Sequence, residues 1–500
     1  MKPKFLFLFY LPAIFLIFLT SCVPSTQREE RLAKQYCSSC HLFPQPSLLD
    51  KVTWTNDVLP QMAFRMGFSN VDILSTLPPD DLPIIVGTIP SKPMVTPQEW
   101  EAITKYFIRN SPDSLVIEEV PAPKALLNFD VEPLESFRKT FVTLIQYDSL
   151  NRKTYVGNRS GKLYELDSNL KILDSVLLSS APSHLIMDGG DRYVSVMGIM
   201  DPNDQSKGTL IKMPKTLKLP QILVDSLQRP VYFEKTDFNE DGIDDFIICS
   251  FGNFTGALQI FEGKPNNKFI QHNLNSFPGA RKVLTGDFNK DGHKDILALM
   301  TQGDERLVLY VNKGGLEFAE KTLARFPPVY GSNYFEIVDF NKDGFFDILY
   351  VNGDNGDYSA ILKPYHGIQV LLNDGNNNFS SSISLKMQGA SQAVVRDFDH
   401  DGDLDIAAIA FFTDFKRHPE RSFIYFENTG DGSFVSQVTN LAITGRWLVM
   451  ETADYDQDGD LDIILGAANF GGMGANSINS KWRNRPSTLL LLKNRLARRK

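Results

Sequence analysis

DFNEDGIDD, at residues 237–245, is the first of five nonapeptides that share one pattern of acidic residues around a central glycine. The other four are DFNKDGHKD at 287–295, DFNKDGFFD at 339–347, DFDHDGDLD at 397–405 and DYDQDGDLD at 454–462. Their first residues are 50, 52, 58 and 57 positions apart, and an apolar run follows each nonapeptide directly. A repeat period of this length, with several short strands in each unit, predicts a β-propeller with one such loop in each of five blades.

The sequence upstream of the first nonapeptide contains two further repeat units that lack it. From about residue 137, short runs of Val, Ile, Leu, Phe and Tyr alternate with Gly, Asn and Asp clusters, without a helical period. This pattern is typical of an all-β region. One unit covers about 141–178 and the next about 184–227. With the five nonapeptide units they predict a seven-bladed propeller over 137–495, followed by a basic tail at 496–500.

The nonapeptide has the donor set of a calcium loop. Carboxylate or amide oxygens stand at positions 1, 3, 5 and 9, position 7 offers its backbone carbonyl, and glycine at position 6 permits a sharp turn. Hard oxygen ligands of this kind select calcium over zinc or copper. An EF-hand would need an acidic residue at position 12, where these loops have Ile248, Ala298, Tyr350, Ala408 and Leu465. The predicted ligands of up to five calcium ions are Asp237, Asn239, Asp241, Ile243, Asp245, Asp287, Asn289, Asp291, His293, Asp295, Asp339, Asn341, Asp343, Phe345, Asp347, Asp397, Asp399, Asp401, Asp403, Asp405, Asp454, Asp456, Asp458, Asp460 and Asp462.

This region resembles the FG-GAP or VCBS-type repeats of the integrin α-subunit propeller, closely over 230–470 and weakly over 137–229. That family places calcium in a loop between the first two strands of a blade, which implies the same place for the five nonapeptides. The first two blades lack the loop, and short turns at Asp148 and Asp188 are expected in its place. Calcium in these loops is expected to be structural, because the clustered carboxylates would repel one another without a cation.

The N-terminus has the features of an export signal. Lys2 and Lys4 precede an apolar run from Phe5 to Leu19, which is too short for a permanent membrane span. The tetrad LTSC at 19–22 resembles the lipobox of bacterial lipoproteins, which implies cleavage after residue 21 and acylation of Cys22. An ordinary signal peptide is the alternative. We therefore expect a lipid-anchored, extracytoplasmic protein of the cell envelope, at the outer membrane because Val23 is not the Asp of inner-membrane retention.

The run CSSCH at 37–41 has the spacing of a c-type haem attachment site. Cys37 and Cys40 would form the two thioether bonds, and the adjacent His41 would bind the iron on one face. A thioredoxin-like pair is less well supported because no strand precedes the motif. Half of a zinc site is less well supported because no second C-x-x-C completes four ligands. The fourth cysteine, Cys249, lies in an apolar strand and is expected to be buried without a chemical role.

The segment around the motif predicts a small helical domain over 22–112. A helix is expected at 27–35, and Thr96, Pro97 and Glu99 form the start of a second one. The segment resembles class I cytochromes c, in which the first and last helices cross beside the haem. The sixth iron ligand is predicted to be Met62, with Met94 and Met66 as alternatives. The Pro-rich and acid-rich stretch at 113–136 is expected to be a linker to the propeller.

Long segments between strands are the places where partner contact is expected. Three of them, starting at residues 352, 411 and 469, mix aromatic and basic residues. The candidate contact residues are His366, Arg417, His418, Trp482 and Arg483.

Composition and motifs limit the functions that this chain can have. The formal net charge is −9, which argues against a nucleic-acid partner. The seven histidines are dispersed, and no nucleophile elbow or phosphate-binding loop is present, so no catalytic residue is predicted. A quinoprotein propeller would repeat tryptophan motifs, whereas this chain has four tryptophans in total.

The sequence therefore predicts a multidomain protein, with an all-α cytochrome c-like domain followed by an all-β propeller. Its predicted function is electron transfer outside the cytoplasm, through one covalent haem c and a protein redox partner, with the calcium-stabilised propeller used for docking or ligand binding. An adhesion or glycan-binding propeller lipoprotein that contacts a glycan or surface protein is the first alternative. An oxidoreductase with its substrate site on the propeller and the haem as electron exit is the second.

Overall fold

The computed structural model describes residues 25–68, 73–134, 137, 141–215, 220–356, 359–469, 480, 482 and 488–496. The predicted signal peptide, Cys22 and Arg483 lie outside these residues. No helix within the described ranges is long and apolar enough to cross a membrane.

The first part of the chain is helical. Its α-helices are α1 Ser25–Cys37, α2 Lys51–Thr53, α3 Leu59–Arg65, α4 Leu82–Val86 and α5 Pro97–Asn110. A π-helical turn, Trp54–Val58, joins α2 to α3, and single 3₁₀ turns lie at Pro46–Leu48 and Leu74–Thr76. The start of α5 is the predicted capping box, since the Thr96 hydroxyl accepts from the Glu99 N–H and the Glu99 carboxylate accepts from the Thr96 N–H.

Helices α1 and α5 pack together around one apolar cluster, which we call the helical-domain cluster. The buried side chains that form it are Leu32, Ala33, Leu49, Trp54, Val58, Leu59, Ala102, Ile103, Tyr106 and Phe107. The Trp54 and Phe107 rings lie 4.6 Å apart, and the Trp54 indole N–H donates to the Pro46 carbonyl at 2.8 Å. An ion pair between Arg109 and Glu29 links the two helices at 2.5 Å. The predicted pairing of the first and last helices is therefore present.

The second part of the chain is a propeller of seven sheets, in which strands consecutive in sequence pair antiparallel. Blades 1 and 2 comprise β3 Val142–Asp148, β4 Lys153–Asn158, β5 Lys162–Leu166, β6 Ile172–Leu177, β7 Pro182–Asp188, β8 Asp191–Val196, β9 Gly208–Met213 and β10 Gln221–Leu227. Blades 3 and 4 comprise β11 Pro230–Thr236, β12 Asp245–Ser250, β13 Ala257–Lys264, β14 Lys268–Asn275, β15 Ala280–Gly286, β16 Asp295–Met300, β17 Arg306–Asn312 and β18 Phe318–Arg325. Blades 5 to 7 comprise β19 Ser332–Val338, β20 Asp347–Asn352, β21 Gly367–Asn373, β22 Phe379–Lys386, β23 Ala390–Arg396, β24 Asp405–Ala410, β25 Phe423–Asn428, β26 Phe434–Val438, β27 Trp447–Ala453, β28 Asp462–Ala467 and β29 Leu489–Asn494.

The ring of blades is closed. The first strand of each blade contacts the first strand of the next, and β27 contacts β3. The second strands that follow the nonapeptides are buried at every residue, because each is covered by neighbouring blades on both faces. Cys249 lies in one of them and is fully buried, as predicted. The prediction of a seven-bladed all-β propeller is confirmed.

The segment at 113–136 differs from the predicted linker. It contains β1 Lys124–Ala125, which pairs in parallel with β26, and β2 Phe129–Pro133, which pairs antiparallel with β29. β2 is thus the outer strand of blade 7, whose other three strands come from the C-terminal end of the chain. Phe129 is buried beside Phe398 and Tyr425, with ring centroids 6.1 and 5.6 Å away. The propeller therefore begins before residue 137, because the chain uses an N-terminal strand to close the ring.

The helical domain sits on one rim of the propeller. Its contacts include the loops between the second and third strands of blades 2, 3 and 5, and the connection between blades 4 and 5. The nonapeptides connect first and second strands, so they lie on the opposite rim.

Candidate functional site

The nonapeptide loops have one shared backbone geometry, seen clearly at 287–295. The Asp287 carboxylate accepts from the N–H groups of Asp291 and Gly292, both at 3.0 Å. The Asn289 side-chain oxygen accepts from the Asp291 N–H at 2.9 Å, and Asp291 accepts from His293 N–H at 3.0 Å. Oxygens from positions 1, 3 and 5 are thus drawn toward the inside of one tight turn. This is the arrangement that a hard cation requires.

The tight turn depends on left-handed backbone at positions 4 and 6. In the same loop φ is +64° at Lys290 and +94° at Gly292. A Cβ at Gly292 would meet no atom within 4 Å, so glycine is needed there for its backbone conformation and not for space. Positions 4 and 6 have positive φ in the other four loops too.

The aspartate at position 9 has a second role that the sequence pattern did not reveal. Asp295 is fully buried, and its carboxylate accepts from the Phe288 N–H at 3.0 Å and from the Asn312 N–H at 2.9 Å. It therefore ties the loop to the end of the third strand of its blade. The equivalent residues Asp245, Asp347, Asp405 and Asp462 make the same two kinds of bond.

Carboxylates converge most closely in the last two loops. Among the described residues, the side-chain oxygens of Asp397, Asp399 and Asp401 lie within 4.8 Å of one another, and so do those of Asp454, Asp456 and Asp462. Burial raises the pKa of Asp405 and of Asp462 to about 7. Burial and the adjacent Asp460 raise the pKa of Asp458 to about 6. A bound cation would offset the mutual repulsion of these clustered carboxylates. Because their side chains offer only oxygen ligands, the sites fit calcium.

Blades 1 and 2 have short turns where the other blades have metal loops. In blade 1 the Asp148 carboxylate accepts from the N–H groups of Leu150 and Asn151, at 3.1 and 3.0 Å. In blade 2 Gly189 and Gly190 connect β7 directly to β8. Both connections are the short turns that the sequence predicts in place of the nonapeptide.

The CSSCH segment begins at the end of α1. Cys37 is half-buried against the helical-domain cluster, Cys40 is exposed, and both are free thiols. Burial raises the pKa of the Cys37 thiol to about 12, which disfavours a thioredoxin-like nucleophile because that chemistry needs a lowered pKa. The His41 Nδ1 lies 3.0 Å from the Leu42 carbonyl oxygen. An N–H donated there leaves Nε2 with its lone pair, the tautomer that an iron ligand needs.

The three candidate methionines have different surroundings. Met62 is on α3 and packs against the helical-domain cluster, as Cys37 does. Met66 caps the end of α3, and its carbonyl accepts from the Met94 N–H at 2.9 Å. The Met94 side chain is 47% exposed. Met62 and Cys37 thus pack against one apolar cluster, whereas the Met94 side chain is largely exposed.

The candidate contact residues are not all at the surface. The prediction of surface contact is wrong for His366 and Trp482, because their side chains are only 1% and 4% exposed. The Trp482 ring packs on Phe415 and its N–H donates to the Ile443 carbonyl at 3.1 Å. Arg417 and His418 are exposed and lie near Asp414 and Glu420, at 2.7 and 3.4 Å.

Ionisable side chains that the sequence analysis did not single out meet on the inner strands of the propeller. The Lys282 ammonium lies over the Tyr334 ring at 3.8 Å, and the His184 ring stacks on Tyr232 at 3.9 Å. Glu451 accepts from the Gln146 side chain and the Tyr147 N–H, both at 3.3 Å. Burial lowers the pKa of Lys282 to about 8 and raises the pKa of Glu451 to about 7. These residues come from blades 1 to 5 and 7, which explains why no local motif marks them.

Glu451→Gln is expected to change how the stability of the propeller depends on pH. The pKa of Glu451 is about 7 in the folded protein against 4.5 for an ordinary Glu, because burial disfavours the charged form. Protonated Glu451 therefore gives its full contribution to the stability of the wild-type protein below pH 4.5, and this contribution is lost as the pH rises to 7. Glutamine has no such loss, so the variant gains stability relative to wild type across this window, by at most about 1.4 kcal/mol per pH unit.

Denaturant unfolding at several pH values and constant calcium measures this difference. The exposed Glu119→Gln is the control, and its stability should follow that of wild type at every pH. A constant stability difference between Glu451→Gln and wild type from pH 4.5 to 7 would show that Glu451 is already ionised in the folded protein.

Comparisons with known proteins agree with this architecture. The FG-GAP-like repeat family matches residues 237–298 and 287–350, which include three of the five nonapeptides. Cartilage acidic protein 1 of Xenopus tropicalis is 26% identical over 214 residues, a match that covers 40% of this chain and 30% of that protein. The chain therefore spans less than a third of the length of this curated relative.

Two solved structures are similar to much of the chain at low sequence identity. The N-terminal domain of Nup159 has 9% identity and a TM-score of 0.42, and the match covers 75% of this chain and 98% of that chain. The Cps50 (Swd1) β-propeller domain of Myceliophteria thermophila has 12% identity and a TM-score of 0.43, with 71% and 97% covered. From its own sheets and the family match, this chain contains FG-GAP-like repeats within a seven-bladed β-propeller.

Proposed function

We propose that this protein transfers electrons outside the cytoplasm, with one covalent haem c on its helical domain and a calcium-stabilised propeller that docks or binds a partner. The observation that carries the proposal is the geometry around CSSCH. The motif begins where α1 ends, and His41 offers Nε2 because its Nδ1 faces the Leu42 carbonyl. Met62 and Cys37 pack against the same apolar cluster.

These residues fit a c-type haem. Cys37 and Cys40 would carry its two thioether bonds, and His41 and Met62 would bind its iron. When bound, haem supplies reversible one-electron redox chemistry. The helical-domain cluster would exclude water from one side of the group, while the exposed Cys40 would leave an edge for a protein redox partner.

Calcium and a lipid anchor complete the proposal. The five nonapeptides would hold up to five calcium ions, on the rim opposite to the helical domain. Acylation of Cys22 would attach the chain to the outer membrane, and the first described helix starts three residues later, at Ser25. The haem domain would then lie between the membrane anchor and the propeller in the chain.

Met62→Ala is expected to remove the sixth iron ligand. Loss of the thioether should abolish the weak red absorption band that ferric haem shows with His and Met ligands, and should lower the reduction potential because the thioether favours ferrous iron. An absorption spectrum of the oxidised, purified protein measures the first effect, and a redox titration measures the second.

Met66→Ala and Met94→Ala are the matched controls, since each removes the same thioether from a neighbouring position. Both should keep the red band. If the band survives in Met62→Ala and disappears in Met94→Ala, the ligand assignment is wrong.

A glycan-binding or adhesion propeller is the second candidate function. It is favoured by the exposed Arg417 and His418, whose side chains are 63% and 47% exposed on a loop of blade 6. This loop lies between the second and third strands of its blade, the kind of loop that the helical domain contacts in blades 2, 3 and 5.

A reduced-minus-oxidised spectrum of the membrane fraction, with candidate donor proteins added one at a time, separates the two functions. Electron transfer predicts a haem spectrum that at least one donor reduces and a membrane acceptor reoxidises. A haem that no membrane component reoxidises would contradict the electron-transfer proposal and leave adhesion as the better account.

A further inference from the structure

The propeller also contributes side chains that cover the helical-domain cluster. Val329 and Ile361, two residues of the propeller, pack against the same cluster as Cys37 and Met62. Building on the proposed function, we propose that the rim of blades 4 and 5 forms one wall of the haem pocket. The propeller then sets the solvent exposure and reduction potential of the haem, in addition to any docking role.

The wall is held in place by a half-buried tyrosine. The Tyr365 hydroxyl lies 3.1 Å from the Leu48 carbonyl of the helical domain and 3.3 Å from the Val329 carbonyl of the propeller. Its ring stacks on Tyr330 at 4.6 Å with an interplanar angle of 14°. A ring fixed by stacking loses little further freedom when its hydroxyl bonds across the domain boundary. Val329 is thereby positioned against the cluster.

Buried polar contacts elsewhere fix the orientation of the two domains. Asp81 of the helical domain is fully buried, and its carboxylate accepts from the Asp204 N–H at 3.2 Å and from the Gln205 side chain at 3.1 Å. Both donors belong to the propeller, so separation would cost these bonds to a carboxylate.

An aromatic contact adds to the same interface. The Phe64 and Phe254 rings pack edge to face with their centroids 6.2 Å apart. The Arg65 guanidinium lies 4.2 Å from the centre of the Phe254 ring. Phe254 belongs to blade 3 and is buried together with Phe64, Ile73 and Ile85 of the helical domain. The interface therefore extends from loops of blades 2 and 3 to the rim of blades 4 and 5.

The test replaces Ile361 by Glu in the full-length, haem-loaded protein. A charged side chain in the wall admits water, so the reduction potential should fall and imidazole should bind ferric haem faster than in wild type. Ile222→Glu is the matched control, because Ile222 is 60% exposed on the outer strand β10. It should leave the potential and the imidazole rate unchanged.

A conservative variant keeps the test decisive if Ile361→Glu fails to fold. Tyr365→Phe removes one hydroxyl and should shift both readouts in the direction of Ile361→Glu.

The outcomes separate this inference from the proposed function. A wild-type protein that carries no covalent haem overturns the proposed function. A wild-type protein that carries haem, with the potential and imidazole rate unchanged in Tyr365→Phe and in a folded Ile361→Glu, overturns the propeller wall alone.

Discussion

Chelation of calcium is expected to lower the melting temperature of the propeller while the haem spectrum changes little. Ligands that bind only the folded state stabilise it by mass action, and a tenfold excess over Kd gives about 1.4 kcal/mol per site. Five such sites would contribute about 7 kcal/mol, which is comparable to the whole stability of many domains. Calorimetry with and without chelator measures the effect, and added calcium should reverse it.

A single loop can be tested in the same way. Asp291→Ala removes an oxygen that lies at the centre of the loop at 287–295, and should lower the calcium stoichiometry by one with a modest loss of stability. The matched control is Lys294→Ala, because Lys294 is exposed in the same loop and offers no ligand oxygen from its side chain. A propeller transition that chelator leaves unchanged would contradict the calcium assignment.

Phe129→Ala is expected to destabilise the propeller by roughly 3–5 kcal/mol, the usual cost of removing a buried aromatic ring. Phe129 is 3% exposed and starts β2, the strand that closes blade 7. Its loss leaves a cavity beside Phe398 and Tyr425 and weakens the pairing of β2 with β29. Denaturant unfolding measures the change.

Leu127→Ala is the control for ring closure. Leu127 is two residues away and 64% exposed, so its truncation should change stability by less than about 0.5 kcal/mol. Equal unfolding midpoints for Phe129→Ala and wild type would show that the segment before residue 137 is a linker after all.

The propeller could be predicted because its signal is local. Each nonapeptide places oxygens, a glycine and the start of a buried strand within nine residues, and the same order recurs in five blades. The helix that starts at Pro97 was predictable for a similar reason, since Thr96 and Glu99 form its capping box within one turn. Local hydrogen bonds decide both features, and a short window of sequence contains them.

Ring closure could not be predicted because its partners are distant in sequence. β2 has five residues and ends in a proline, and its partner β29 lies more than 350 residues later. The burial of His366 has the same origin, because it depends on how a long loop packs against the blade. The position of the helical domain on the propeller also depends on contacts between distant residues, such as the hydrogen bond from the Tyr365 hydroxyl to the Leu48 carbonyl. No periodic pattern in the sequence marks these residues.

The intact mass of the purified chain, produced in cells that mature c-type cytochromes, shows directly whether the protein carries covalent haem. We expect a mass increase of one haem that persists after denaturation and is lost in the double variant Cys37→Ser, Cys40→Ser. A wild-type chain with an unmodified mass in this region, from cells that load a control cytochrome, would contradict it.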